Sequence, residues 1–158
     1  MIDAVLDKLL KKENLTFDEA STCAALLMKG EVNTSQMASL LSLLKVKGET
    51  SEEIAGFAKA MRNNSKIIKC EDPDTIDVCC TGGDNSGSFN ISTTVSFVAA
   101  GAGVSVAKHG NRSITSKSGS SDVISELGLK INLTPEQSEK ALSELGISFL
   151  FAHIYHPA

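Results

Sequence analysis

Twice in this chain a short apolar run of strand-forming residues gives way to a long polar turn, and the turn to a helical pattern. IDVCC (76–80) precedes TGGDNSGSFNIST (81–93), and VSVA (104–107) precedes KHGNRSITSKSGSSD (108–122). Strands that alternate with helices in this way predict parallel βαβ units. The glycine-, serine- and threonine-rich turns add a chemical expectation. Backbone N–H groups at a helix N-terminus have no intrahelical partner and carry partial positive charge, so a turn that opens a helix is a natural anion site. Two such turns, the second carrying Lys108, His109, Arg112 and Lys117, point to a ligand with several phosphates.

The first turn matches neither common phosphate fingerprint. No Gly-Lys-Ser/Thr closes it, and the G-x-G-x-x-G spacing is not met. Gly82 and Gly83 would let backbone approach a ligand closely, and Asn90, Ser92 and Thr93 fall at the expected helix start. The residues alone leave two readings open here, an anion site and an ordinary turn with a Ser or Thr cap. The second turn favours phosphate over a plain surface loop. Its cations follow a buried-strand candidate directly, and Lys and Arg suit phosphate through charge-assisted hydrogen bonds. Ser116, Ser118, Gly119 and Ser120 could offer hydroxyls and amides to the same anion. His109 is expected to donate a hydrogen bond rather than act as a general base, and Asp84 reads either as a turn residue or as a partner for a ligand hydroxyl or metal-bound water.

The first 65 residues read as a small helical domain. Ile2, Val5, Leu6, Leu9 and Leu10 lie at helical spacing. Thr16/Glu19 and Thr50/Glu53 form capping boxes, with Gly30 and Gly48 as stops. The third helix is expected to start near Asn33 and to carry Met37, Leu40, Leu41 and Leu44, and the fourth to carry Ile54, Phe57, Ala58 and Met61. Residues 66–74, ending shortly after Asp72-Pro73, are taken as a linker. From 75 to 158 the pattern becomes α/β: strands at 76–80, 104–107 and 147–151, and helices from Ser92 or Thr93, from Ser118, and from Thr134 with Pro135 at its first position. Three strands are few for a parallel sheet, whose faces and edges need covering. The α/β part is therefore expected to be incomplete, with its other half absent or supplied by a partner surface.

The net charge of −4, the absence of Trp and the 4% aromatic content argue against a nucleic-acid surface. No apolar run is long enough to span a bilayer, so a cytoplasmic location is expected. Cys23, Cys70, Cys79 and Cys80 lack zinc spacing and are read as reduced, mostly buried thiols. His153 and His156 stand three apart without a supporting carboxylate and are not taken as a metal pair.

Taken together, the helical segment GEVNTSQMASLL…KGETSEEIAGFAKAMR (30–62), TGGD, FNIST, KHGNRSITSKSGSSD and ELGISFLFAHIYHPA resemble the N-terminal half of the anthranilate phosphoribosyltransferase family across essentially the whole chain. The resemblance implies transfer of phosphoribose from 5-phosphoribosyl 1-diphosphate (PRPP) to anthranilate, with release of diphosphate and use of Mg²⁺, in tryptophan biosynthesis. It implies a PRPP site formed by Cys80, Gly83, Asp84, Ser88, Asn90, Ile91, Ser92, Thr93, the run Lys108, His109, Gly110, Asn111, Arg112, Ser113, Ile114, Thr115 and Ser116, and Ser120. Ser92 would be a Mg²⁺ ligand, and Cys80 and Asn111 would also face anthranilate. A homodimer through the helical domain is implied as well.

Two departures qualify what the resemblance implies. The family pattern reads GTGGD where this chain reads CTGGD, so the Cys80 side chain adds bulk where close backbone approach is wanted. The family's C-terminal half, source of an acidic Asp-Glu pair for Mg²⁺ and an Arg for anthranilate, has no counterpart here. The chain alone is thus expected to be inactive or nearly so, needing that half or a complementing chain. Two further readings stand beside the transferase. One is a pyrimidine nucleoside phosphorylase, whose phosphate loop has a different Lys-His-Ser-type context. The other is a non-enzymatic paralogue that dimerises through the helices.

Overall fold

The computed structural model describes residues 1–79, 89–113 and 118–156. The described residues divide into two compact units, one holding 1–65 and His156, the other those between 66 and 155.

The first unit is built from α1 (Ile2–Leu10), α2 (Phe17–Met28), α3 (Thr34–Lys47) and α4 (Ser51–Asn64). Local chemistry sets most of their ends. The Thr16 hydroxyl accepts from Glu19 N–H at 3.2 Å while the Glu19 carboxylate takes Thr16 N–H at 2.8 Å. Asn33 and Gln36 form the same reciprocal pair at the start of α3, and Thr50 and Glu53 at the start of α4. Such pairs satisfy amides that a helix leaves without partners. Gly48 ends α3 at φ +86°, a left-handed conformation that a side chain would resist. Val5, Leu9, Leu15, Ala20, Cys23, Leu40 and Leu44 make the core.

The α4 face departs from the expectation. Ile54 and Met61 are exposed, Ala58 also faces outward, and the buried positions are Glu53, Gly56 and Ala60. Gly56 is the reason. A Cβ there would lie 2.5 Å from the Phe17 carbonyl oxygen and 2.8 Å from Ala20 Cβ, so α4 approaches α2 at backbone distance. Glu53, 1% exposed, is buried beside it with its charge fully engaged. Its carboxylate accepts Leu15 N–H and Thr50 N–H, each at 2.8 Å, and pairs with the Lys47 ammonium at 2.9 Å. On α3, Leu40 and Leu44 point inward as expected while Leu41 faces outward.

The second unit runs α5 (Ile91–Gly101), β1 (Val106–Gly110), α6 (Ser120–Glu126), α7 (Pro135–Leu145), β2 (Ile147–Phe151) and α8 (Ala152–Tyr155). β1 and β2 are parallel, in register from Val106 opposite Ile147 to Gly110 opposite Phe151. The helical start followed by a parallel α/β portion is the fold class expected from the sequence. Ile124 and Ile131 pack with Phe149 and Phe151 to form the core. Thr134 caps α7, and Gly146 ends it at φ +70°. Lys66 N–H donates to the Tyr155 carbonyl at 2.8 Å, and the Tyr155 hydroxyl to Ser138 Oγ at 2.6 Å, which ties both ends of this unit together.

Two strand expectations are corrected. The strand predicted at 104–107 is shifted forward, so Lys108, His109 and Gly110 lie inside β1 rather than after it. The run at 76–80 contributes, among the described residues, a single parallel bridge from Ile76 to Val106. Ile76 takes Ala107 N–H on its carbonyl at 2.9 Å, but the next ladder donor on that edge, His109 N–H, goes to the Asp77 carboxylate at 3.1 Å. A side-chain acceptor has replaced the main-chain one, and regular pairing stops there. The cysteine expectation also fails in part: Cys23 is buried, whereas Cys70 and Cys79 are exposed.

Candidate functional site

The described parts of the two polar turns meet. Asn90, the residue before α5, does not cap that helix with its side chain. Its Nδ2 instead donates to Ser118 Oγ at 3.2 Å and the Ser118 carbonyl at 3.4 Å, joining the start of α5 to the segment that opens α6. With the Asn90 side chain turned away, no described acceptor takes the N–H of Ser92 or Thr93 in the first turn of α5. The Thr93 hydroxyl is buried and has no hydrogen-bond partner among the described residues, and Ser92 is half-buried beside it. Ile91 is exposed.

In the middle of β1, Lys108 is only 2% exposed. Its ammonium donates to the His109 carbonyl at 2.9 Å and the Val78 carbonyl at 3.4 Å. Among the described residues no carboxylate lies within ion-pair reach of it. A buried ammonium that carbonyl dipoles alone answer among the described residues is incompletely compensated and favours an anion. Gly110 makes room beside it for the Phe149 ring, whose Cζ would lie 2.7 Å from any Cβ there.

The chain then turns through Asn111, Arg112 and Ser113. The Asn111 carbonyl accepts Ser121 N–H at 3.2 Å and the Ser120 hydroxyl at 3.3 Å, while Asn111 Oδ1 accepts Arg112 N–H at 2.8 Å. Arg112 is exposed. Gly119 crosses this turn at backbone distance, since a Cβ on it would meet the Arg112 carbonyl carbon at 2.5 Å and the Asn111 oxygen at 2.7 Å. Its N–H, expected to be available to an anion, is instead taken by the Asp122 carboxylate at 2.7 Å. The same carboxylate oxygen accepts Ser113 N–H at 3.3 Å. These two N–H donors, first Gly119 and then Ser113, hold the Asp122 carboxyl below its ordinary value, with Arg112 adding a smaller electrostatic contribution.

Of the residues expected in the site, Asn90, Ile91, Ser92 and Thr93 stand at the α5 start, Lys108, His109 and Gly110 in β1, Asn111, Arg112 and Ser113 in the turn after it, and Ser120 at the opening of α6. Cys80, Gly83, Asp84, Ser88, Ile114, Thr115 and Ser116 lie outside the described residues. The sequence reading missed Asp77 and Asp122, which organise backbone by accepting its N–H groups. The one available signal was an Asp three residues after Gly119 at a helix start. Among the described residues no group of three His, Cys, Asp or Glu side chains could hold a metal ion, and no helix is long and apolar enough to cross a membrane.

Comparison with known proteins gives concordant results for both units. Residues 3–65 match the model of the glycosyl transferase family, helical bundle domain, and residues 72–158 that of the glycosyl transferase family, a/b domain. An anthranilate phosphoribosyltransferase of Streptococcus mutans is 51% identical over 154 residues, covering 98% of this chain and 46% of the relative. The crystal structure of anthranilate phosphoribosyltransferase (TrpD) from Thermus thermophilus superimposes with a TM-score of 0.86 at 41% identity, over 96% of this chain and 46% of that one. The Saccharomyces cerevisiae anthranilate phosphoribosyltransferase in complex with PRPP and Mg gives a TM-score of 0.85 at 27% identity, over 98% and 47%. The chain spans about half the length of the relatives it matches.

Proposed function

The chain belongs to the glycosyl transferase family, and on that premise we propose that it carries the PRPP-binding part of an anthranilate phosphoribosyltransferase of tryptophan biosynthesis. In the reaction, the bond from ribose C1 to diphosphate breaks, a bond from C1 to the anthranilate nitrogen forms, and the amine gives up a proton. Diphosphate departs with growing negative charge, so the demand on this part of the enzyme is for preorganised cations and amide donors. The buried Lys108 ammonium, with only carbonyl partners among the described residues, is the observation that carries the reading. Arg112 and the amides of Ser92 and Thr93, which no described acceptor takes, supply further donors. Cys80, Gly83, Asp84, Ser88, Asn90, Ile91, His109, Gly110, Asn111, Ser113 to Ser116 and Ser120 complete the proposed PRPP site, with Cys80 and Asn111 also facing anthranilate.

The donor set fits Mg²⁺ that arrives on the substrate. Mg²⁺ is usually bound through one or two protein groups together with phosphate oxygens and water, and the half-buried Ser92 hydroxyl at the α5 start suits one such position. When bound, the ion would neutralise charge on the departing diphosphate. Turnover is proposed for a protein that also includes the remaining half of the relatives' length, and a cytoplasmic homodimer paired through the helical unit is proposed with it.

Calorimetric titration of the 158-residue protein with PRPP, with and without Mg²⁺, tests this. Binding that depends on Mg²⁺ and is lost in Lys108→Gln is expected, together with no formation of phosphoribosyl-anthranilate by this chain alone. Failure of a folded chain to bind PRPP would refute the assignment and favour a non-enzymatic paralogue.

A further inference from the structure

We propose that Asp122 is a positioning residue for the cationic segment: its carboxylate holds the Ser113 and Gly119 amides together and thereby fixes the backbone on which Arg112 and Ser118 stand. The inference rests on the PRPP reading above. A carboxylate beside a diphosphate site is electrostatically unfavourable unless its charge is answered elsewhere. Here it is answered by main chain, because one oxygen, Oδ2, accepts both Gly119 N–H at 2.7 Å and Ser113 N–H at 3.3 Å. The first bond is what an acidic residue in the opening turn of a helix ordinarily makes. The second reaches nine residues back along the chain and has no part in capping α6. It draws Ser113 against Gly119, where only a glycine fits the approach.

The consequences spread from those two anchors. Arg112 precedes Ser113, and its N–H is held on Asn111 Oδ1. Ser118 precedes Gly119 and receives the Asn90 side chain from α5. Releasing Asp122 therefore loosens the Arg112 backbone and the tie between the two turns, while Lys108, held inside β1, stays in place. Because both N–H groups meet a single oxygen, an asparagine amide oxygen can take over the geometry without the charge.

The test compares the unaltered chain with Asp122→Ala and Asp122→Asn, using hydrogen exchange at the Ser113 and Gly119 amides and titration with PRPP and Mg²⁺. Asp122→Ala is expected to speed exchange at both amides and to weaken PRPP binding about tenfold, the scale of one charge-assisted hydrogen bond, while Asp122→Asn stays within about threefold of the unaltered chain. Urea unfolding establishes that each variant is folded, and Asp122→Asn serves alone if the alanine variant is not: weakening beyond that range then overturns the proposal. Unchanged exchange at Ser113 in Asp122→Ala would overturn it, as would faster exchange with undiminished PRPP affinity. Absence of PRPP binding by the unaltered chain would count against the phosphoribose reading, and closure by Asp122 would then be judged by exchange alone.

Discussion

Glu53 shows how a single residue can be read only in part when its chemistry is local and its consequence is not. Its place in a capping box with Thr50 is visible in the sequence. That the same carboxylate is buried, takes Leu15 N–H from another part of the chain and holds Lys47 is not. Burial pushes the Glu53 carboxyl up, but the N–H groups of Leu15 and Thr50 and the Lys47 ammonium outweigh it, and the pKa lies below its ordinary 4.5. A carboxyl whose pKa is lowered by folding stabilises the fold fully above the unfolded value and loses that contribution as pH falls through the folded one. The helical unit should accordingly lose stability below pH 4.5, and Glu53→Gln should flatten that decline. Glu53→Ala should cost about 3 kcal/mol at neutral pH, because Lys47 remains buried without its carboxylate. Urea unfolding as a function of pH checks both. An identical acid limb in the wild type and Glu53→Gln would remove Glu53 from the explanation.

Elements were legible where their determinants are near in sequence. The starts of α2, α3, α4 and α7 follow from side chains three residues apart, and the ends of α3 and α7 from Gly48 and Gly146. Their facing was less so. Hydrophobic spacing on α4 selected Ile54 and Met61, yet the helix turns Gly56 toward α2 because only the residue without a side chain permits that approach. The forward shift of β1 has a similar origin. Lys108 does not look like a strand interior, but main-chain carbonyls receive its ammonium. The contrast between two helical glycines makes this measurable. Gly56→Ala should gain helix propensity of about 1 kcal/mol, but overlap with the Phe17 carbonyl and Ala20 should cost about 1–3 kcal/mol, leaving the unit less stable. Gly101→Ala, near the end of α5 with nothing within 4 Å of the added carbon, should stabilise its unit by up to about 1 kcal/mol. Denaturant midpoints decide it, and stabilisation by both substitutions would show that α2 and α4 are not in close contact.

At the scale of the whole molecule, α5 exposes what a finished layer would cover. Thr93 and Ser96 are its buried side chains, while Ile91, Val95 and Val98 are exposed at 50%, 43% and 67%, spaced to lie along one face. The polar face is turned inward and the apolar face outward, the reverse of a surface helix in a self-sufficient domain. The pattern after Ser92 or Thr93 predicted a helix but could not show which side would be left bare, since that depends on how many layers surround the sheet. Relatives about twice as long provide chain enough for another layer over this stripe. Contiguous exposed apolar surface of this kind promotes association, so the 158-residue protein should self-associate reversibly as its concentration rises and should bind an apolar dye. Val98→Lys should weaken both effects with little change in the midpoint of unfolding, because the replaced side chain is already two-thirds exposed. Sedimentation velocity and dye fluorescence measure the two effects. If Val98→Lys leaves both unchanged, the association surface lies elsewhere, with the outward-facing Leu41, Ile54 and Met61 of the helical unit the next to substitute.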